Sequence, residues 1–171
     1  MDKITQGISR VLEIFLIILM AVMVLDVTWQ VFTRFVLQDP SSFTEELAGF
    51  LLIWIGLLGG SYAVYTNAHL GIDILIRKLE GVARDRLVII IYTFIILFAF
   101  FILLIGGLRL VSLTLKLNQI SPAMGLPMGY VYLVLPLTGV LMIYYSFFHL
   151  IKAARHQDER SQKESPVTAL D

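Results

Sequence analysis

Four long apolar segments, each close to the length of a helix that crosses a lipid bilayer, dominate this sequence. The third of them, Leu87–Leu108, contains no charged residue. A helix needs about 20 consecutive apolar residues to span the hydrocarbon core of a membrane. The pattern therefore predicts four transmembrane helices, at residues 11–36, 47–65, 87–108 and 130–151.

The composition supports lipid as the solvent of this chain. Of its 171 residues, 58% are hydrophobic and 15% are charged, whereas soluble domains carry about 25% charged residues. The chain has no cysteine, which excludes disulfides, thiolate metal sites and cysteine nucleophiles. No basic cluster interleaved with aromatic residues is present, so we expect no nucleic-acid partner. We predict an all-α integral membrane protein, with one transmembrane domain over residues 1–155 and a polar, disordered cytoplasmic tail over residues 156–171.

The first and third connectors contain residues that break helices. Asp39-Pro40 ends the first span, and Ser42 with Glu45 three residues later has the spacing of a capping box that opens the second helix. The first two helices should therefore form an antiparallel hairpin. The third connector, residues 118–129, combines four Pro and Gly residues with apolar side chains, which predicts an irregular loop packed on protein or against lipid headgroups.

The second connector has helical periodicity but is too short to span a membrane. Its apolar residues recur at intervals of three and four: Ile72, Leu75, Ile76 and Leu79. This spacing favours a short amphipathic helix in the membrane interface. A plain solvated loop is the alternative.

Lysine and arginine residues are distributed unequally among the connectors. They occur in the N-terminal tail, the second connector and the C-terminal tail, whereas the first connector contains none and carries Asp39 beside Glu45 and Glu46. Cytoplasmic loops of membrane proteins are enriched in Lys and Arg. The distribution predicts that both termini are cytoplasmic. Arg109 ends the uncharged run of the third span on its periplasmic side, where its long side chain can reach the interface.

Polar side chains inside the first span are the most costly residues in the sequence. Asp26, Gln30 and Arg34 are spaced four residues apart and share one helix face. A charge near the bilayer centre costs about 3 kcal/mol or more. Asp26 could be an ion-coupling carboxylate, but a single acid with no second carboxylate favours a structural contact that fixes helix packing.

Arg34 lies near the acidic first connector. Glu45 and Glu46 are its candidate partners there, and we favour a structural ion-pair cluster or a contact with a partner protein over substrate binding. In the second span, Gly56-x-x-x-Gly60 has the spacing of a close helix approach, within this chain or with another. Trp54 is interpreted as a packing residue or lipid anchor, and Pro136 predicts a kink in the fourth helix.

Nothing in the sequence supports catalysis. The three histidines, His69, His149 and His156, are not spaced for a metal or a haem. The sequence has no glycine-rich phosphate loop and no credible Ser/His/Asp set. We expect no cofactor and no enzymatic activity.

Three stretches, in order between the predicted spans, carry a resemblance to a known family: Trp29-Gln-Val-Phe-Thr-Arg34-Phe35 running into Pro40-Ser-Ser-Phe-Thr-Glu45-Glu46; Ala68-His69-Leu70-Gly71-Ile72-Asp73; and Ser121-Pro-Ala-Met-Gly-Leu-Pro127-Met-Gly-Tyr130. Together they resemble the small permease subunits of TRAP (tripartite ATP-independent periplasmic) transporters, over about residues 10–152. Phe43 stands where that family would have a tryptophan.

The resemblance implies an inner-membrane subunit of a bacterial sodium-coupled importer of organic acid anions, such as C4-dicarboxylates, sugar acids or sialic acid. Its implied partners are a large membrane subunit of many helices, which holds the substrate and sodium sites, and a periplasmic substrate-binding protein. The small subunit would scaffold and anchor the large one and help to dock the binding protein.

Two other functions are compatible with four spans. A stand-alone small exporter would need a glutamate near the membrane centre of the first helix, but Glu13 lies near its cytoplasmic end. A haem-bearing membrane oxidoreductase would need histidines at matching depth on facing helices. Transport by the chain alone would support the first alternative, and a Soret band would support the second.

Overall fold

The computed structural model describes residues 3–66 and 81–164 of the chain. The amphipathic segment predicted in the second connector, with His69 and Asp73, lies outside these residues. Four helices of the described part are long and apolar enough to cross a membrane, so all four predicted spans are confirmed. They cover Thr5–Leu37, Ser42–Thr66, Arg86–Lys116 and Met128–Ile151.

The helices extend beyond the apolar segments that predicted them. The first begins at Lys3, the third begins at Gly81, and the backbone of the fourth continues to Glu164. The last segment belongs to the tail that composition assigns to disorder. It is rich in Ala, Arg, Gln and Glu, which favour helix without any burial.

The turn between the first and second helices differs in detail from its prediction. The first helix ends in a π-helical turn, Thr33–Leu37, followed by Gln38 with φ 56°. The second helix begins at Ser42 itself, and the Ser41 carbonyl accepts the Glu45 N–H at 3.4 Å. The residue before the helix is therefore Ser41, and the capping box predicted from Ser42 and Glu45 does not form, because Ser42 already lies inside the helix.

The helices pack in the order first, second, fourth, third. Their common core contains residues from all four helices: Leu12, Leu58, Val64, Tyr92, Val134 and Tyr145. At the end that holds the chain's N-terminus, hydroxyl groups join the first and fourth helices. Ser9 donates to the Tyr145 hydroxyl at 3.2 Å, and the Thr5 and Tyr144 hydroxyls lie 3.0 Å apart.

The third and fourth helices approach each other closely at two glycines. A Cβ built at Gly139 would lie 3.0 Å from the Leu104 backbone nitrogen and 3.2 Å from the Ala99 carbonyl oxygen. The third helix is π-helical across this contact, from Ala99 to Gly106. Further along, a Cβ at Gly107 would lie 2.8 Å from Leu135 Cβ. These two glycines therefore let two backbones meet.

Pro136 interrupts the fourth helix as predicted. The helical segments are Met128–Tyr132 and Val134–Glu164, with a break at Leu133. Pro136 has no N–H to donate to the carbonyl four residues earlier. The Trp54 indole N–H donates to the Val131 carbonyl at 3.1 Å, immediately before the break. Trp54 thus joins the second helix to the fourth as a packing residue.

Candidate partner-interface site

The carboxylate of Glu46 binds the loop that precedes the fourth helix. Its Oε2 accepts hydrogen bonds from the Ser121 hydroxyl, from the Ala123 N–H at 3.0 Å and from the Met124 N–H at 2.8 Å. We call these four residues the Glu46 clamp. Hydrogen bonds to a charged acceptor are about twice as strong as neutral ones. The clamp therefore ties the start of the second helix to a segment about 75 residues later in the chain.

The loop held by the clamp has its own internal hydrogen bonds. Met128 N–H donates to the Gln119 carbonyl at 2.9 Å, and Ser121 N–H donates to the Leu126 carbonyl at 2.9 Å. Gly125 has a φ of +66°, which glycine adopts without strain. The Pro- and Gly-rich segment is therefore a folded hairpin-like loop rather than a loose connector. Its predicted irregular character and its contact with protein are confirmed.

Apolar side chains cover the outer surface of this loop and the start of the next helix. Ile120 is 60% exposed and Tyr130 is 60% exposed, while Pro127 occupies the position that starts the fourth helix. Phe43, at the start of the second helix, is also exposed. Ile120, Tyr130 and Phe43 thus form an exposed apolar edge beside the Glu46 clamp, at one end of the molecule.

Arg34 does not pair with either glutamate in this chain. Its side chain is exposed, as is that of Glu45, and the structure contains no salt bridge between Arg34 and Glu45 or Glu46. The predicted ion-pair cluster is therefore wrong. The reason is that Glu46 turns toward the loop, where one hydroxyl and two backbone N–H groups converge on it. A contact between Arg34 and a partner protein stays a prediction.

Asp26 is buried in the first helix, at 8% exposure. Its Oδ2 has no hydrogen-bond partner in the described part of the chain. Gln30, one turn further on, uses its backbone carbonyl to accept the Thr33 hydroxyl at 3.0 Å. Within the described residues, no group of three His, Cys, Asp or Glu side chains could hold a metal ion. Asp26 is thus a solitary buried acid.

Four glycines of the second helix form a surface that we call the open stripe: Gly49, Gly56, Gly59 and Gly60. A Cβ added at Gly49, Gly56, Gly59 or Gly60 would have no atom within 4 Å. Within residues 3–66 and 81–164, no other helix approaches closely at Gly56-x-x-x-Gly60. Sequence reasoning missed the glycines that do make close contacts, Gly107, Gly129 and Gly139, and it missed Ser121. Gly107 and Gly139 lie inside predicted helices, Gly129 ends the third connector and Ser121 precedes a proline, and none of these positions by itself indicates a close contact.

The sequence also matches known proteins. The model of the DctQ component of the tripartite ATP-independent periplasmic transporters matches residues 23–156. The chain belongs to this family. It is 30% identical over 142 residues to a candidate TRAP transporter small permease protein of Haemophilus influenzae, covering 83% of this chain and 86% of that one. This membership makes it a membrane protein and a transporter component, not an enzyme.

Two further relatives of this small permease have more specific names. It is 38% identical over 82 residues to the sialic acid TRAP transporter small permease protein SiaQ of Vibrio cholerae, covering 48% of this chain and 47% of that one. It is also 31% identical over 134 residues to the isethionate TRAP transporter permease protein DctMQ of Oleidesulfovibrio alaskensis, covering 75% of this chain but 21% of the relative.

Proposed function

We propose that this small permease is a scaffold that anchors the large membrane subunit of a sodium-coupled TRAP importer and holds neither the ion nor the substrate itself. One observation carries the proposal. Gly56 and Gly60 of the second helix have the spacing of a close helix approach, yet an added Cβ would meet no atom of the described residues within 4 Å. A helix of another chain is the natural occupant of such a surface in a membrane.

The DctMQ relative supports a large membrane partner. That protein is a permease of which the match covers only 21%, so a small-permease segment there is part of a much longer chain. In the present protein the corresponding partner would be a separate subunit. The candidate contact residues are those of the open stripe, with Arg34.

The apolar edge suits a second, transient partner. Ile120 is exposed on the loop that the clamp holds, and Tyr130 and Phe43 are exposed on the helices beside it. A preformed surface loses little conformational entropy when a partner binds. We infer that this edge helps to dock a periplasmic substrate-binding protein, and that the inner membrane is the location of the complex.

The class of substrate follows from the names of the relatives. One is named for sialic acid and another for isethionate, and both compounds are organic anions. We propose that the transporter containing this subunit imports an organic acid anion. The stand-alone exporter and the oxidoreductase gain no support from any contact described above.

Replacing Asp26 with asparagine tests the proposal that this subunit does not line the ion path. Asparagine keeps the side-chain shape but cannot carry charge. We expect the sodium dependence of uptake to stay unchanged, with any loss of rate tracking loss of assembled complex, because Asp26 is buried without a second acid nearby. The measurement is uptake into proteoliposomes at varied sodium, normalised to intact complex. A changed sodium stoichiometry would mean that this chain supplies an ion ligand.

The proposed orientation, with both termini in the cytoplasm, can be tested by cysteine labelling. The natural chain has no cysteine, so a single introduced thiol reports one position. We expect Arg155→Cys to resist a membrane-impermeant maleimide added to spheroplasts and Gln119→Cys to react. Labelling at position 155 with protection at position 119 would show that the topology is the reverse of the proposed one.

A further inference from the structure

The outer face of the third helix carries two unpaired cations at the end of its apolar run. Gly106, Arg109, Leu110, Ser112, Leu113 and Lys116 line an open cavity of about 430 Å³. The opposite side of the same helix is buried against the rest of the chain through Gly107, Val111 and Thr114. The cationic face is therefore directed away from the packed helices.

The position of Arg109 along the helix matches the lipid headgroup region. No charged residue lies between Arg86 and Arg109. A helical run of about 22 residues is about 33 Å long, close to the thickness of the hydrocarbon core. With Arg86 at one interface, Arg109 falls at the other. Lys116 lies about 10 Å further along the helix axis.

No acid in the described part of the chain forms a salt bridge with either cation. The sequence from Arg86 to Gln157 contains no Asp or Glu. Glu46, at the same end of the molecule, is engaged by the loop. Among the described residues, neither Arg109 nor Lys116 forms a salt bridge. The cavity is thus electrostatically complementary to an anion.

The same helix also provides an apolar surface next to the cations. Leu110 and Leu113 lie between them and are exposed, and Ile102 and Ile105, nearer the membrane centre, are 56% and 45% exposed. A ligand that fits both features has a negative headgroup and hydrocarbon chains.

We propose that this face is a binding site for an anionic phospholipid of the surrounding bilayer. The phosphodiester is held by Arg109, whose planar guanidinium can donate two parallel hydrogen bonds to it. Lys116 attracts the headgroup as a point charge. The acyl chains lie along the exposed leucine and isoleucine side chains, so the site recognises a lipid and not a free anion.

Native mass spectrometry of the full chain in mild detergent tests the proposal. The probes are dioleoylphosphatidylglycerol, dioleoylphosphatidylcholine and glycerophosphoglycerol. The last compound is phosphatidylglycerol without its acyl chains. We expect phosphatidylglycerol to bind in preference to phosphatidylcholine, and R109Q/K116Q to weaken that binding about fivefold for each charge removed. R109K keeps the charge but cannot donate two parallel hydrogen bonds, so its affinity should lie between those of the natural chain and R109Q. R84Q, which removes an exposed arginine from the opposite end of the same helix, is the matched control and should leave the affinity unchanged.

Three results would overturn the proposal. The first is equal binding of both lipids, the second is unchanged affinity in R109Q/K116Q, and the third is equal binding of glycerophosphoglycerol. The last would identify a site for small anions. If R109Q/K116Q instead keeps its affinity for lipid but loses the large subunit on co-purification, the face contacts an acidic protein surface and not a lipid.

Discussion

A leucine at Gly139 is expected to destabilise the isolated chain by about 3 kcal/mol, because overpacking a core forces backbone shifts. At this position even a Cβ would lie 3.0 Å from the Leu104 backbone nitrogen and 3.2 Å from the Ala99 carbonyl oxygen. These are backbone atoms and cannot rotate away as a side chain can. The third and fourth helices would have to separate along their closest contact.

Gly56→Leu is the matched control for the isolated chain. The same substitution in a spanning helix meets open space here, and leucine favours helix by up to about 1 kcal/mol over glycine. We therefore expect Gly56→Leu and Gly60→Leu to leave the melting temperature of the isolated chain unchanged or slightly raised. Thermal unfolding in detergent, monitored by intrinsic fluorescence, compares these variants with Gly139→Leu.

When the large subunit is present, Gly56 and Gly60 are expected to become important for assembly of the complex. If a partner helix occupies the open stripe, Gly56→Leu and Gly60→Leu will reduce co-purification of the large subunit with the tagged small one. Normal co-purification for both variants would show that the stripe faces lipid. A melting temperature of Gly139→Leu equal to that of the natural chain would contradict the observed approach of the third and fourth helices.

Removing the Glu46 carboxylate is expected to release the loop before the fourth helix. Glu46→Ala leaves the Ser121 hydroxyl and the Ala123 N–H without their acceptor, and it leaves the Met124 N–H only the Ser121 hydroxyl oxygen at 3.2 Å. We expect the hydrogen exchange of these two amides to rise about tenfold or more, because a charged acceptor of several donors makes a strong contribution. Mass spectrometry of peptides covering residues 117–127 measures the effect.

Two further variants test whether the charge of Glu46 holds the loop and whether Arg34 contributes. Glu46→Gln keeps an acceptor oxygen without the charge and should lie between the natural chain and Glu46→Ala. Arg34→Ala should leave exchange in the loop unchanged, because Arg34 forms no salt bridge with Glu46 in the structure. Equal effects of Arg34→Ala and Glu46→Ala would restore the ion pair predicted from sequence and contradict the clamp.

Glu46→Ala also allows docking of a periplasmic protein to be tested separately from assembly with the large subunit. If the exposed edge formed by Ile120, Tyr130 and Phe43 binds a periplasmic protein, loosening the loop with Glu46→Ala should weaken that binding. Substrate preference should not change. The complex with the large subunit should stay assembled, since the clamp lies at one end of the helices and not along the open stripe.

The sequence alone determined the number and positions of the spans and the break at Pro136. The length and apolarity of a segment are local properties, and a backbone in lipid must satisfy its own hydrogen bonds, which leaves a helix as the only form for such a segment. The loss of a backbone N–H at proline is equally local. The resemblance in three short stretches identified the family for the same reason, because the motifs are readable without a fold.

Only the tertiary structure decided which residues meet. Glu46 is near Arg34 in sequence, yet it binds a loop about 75 residues away, because the second and fourth helices are neighbours in the packing order. Gly56 and Gly60 have the spacing of a close contact, whereas Gly107 and Gly139 make one. A glycine permits close approach wherever it lies, but the arrangement of the four helices determines which glycines have another backbone beside them.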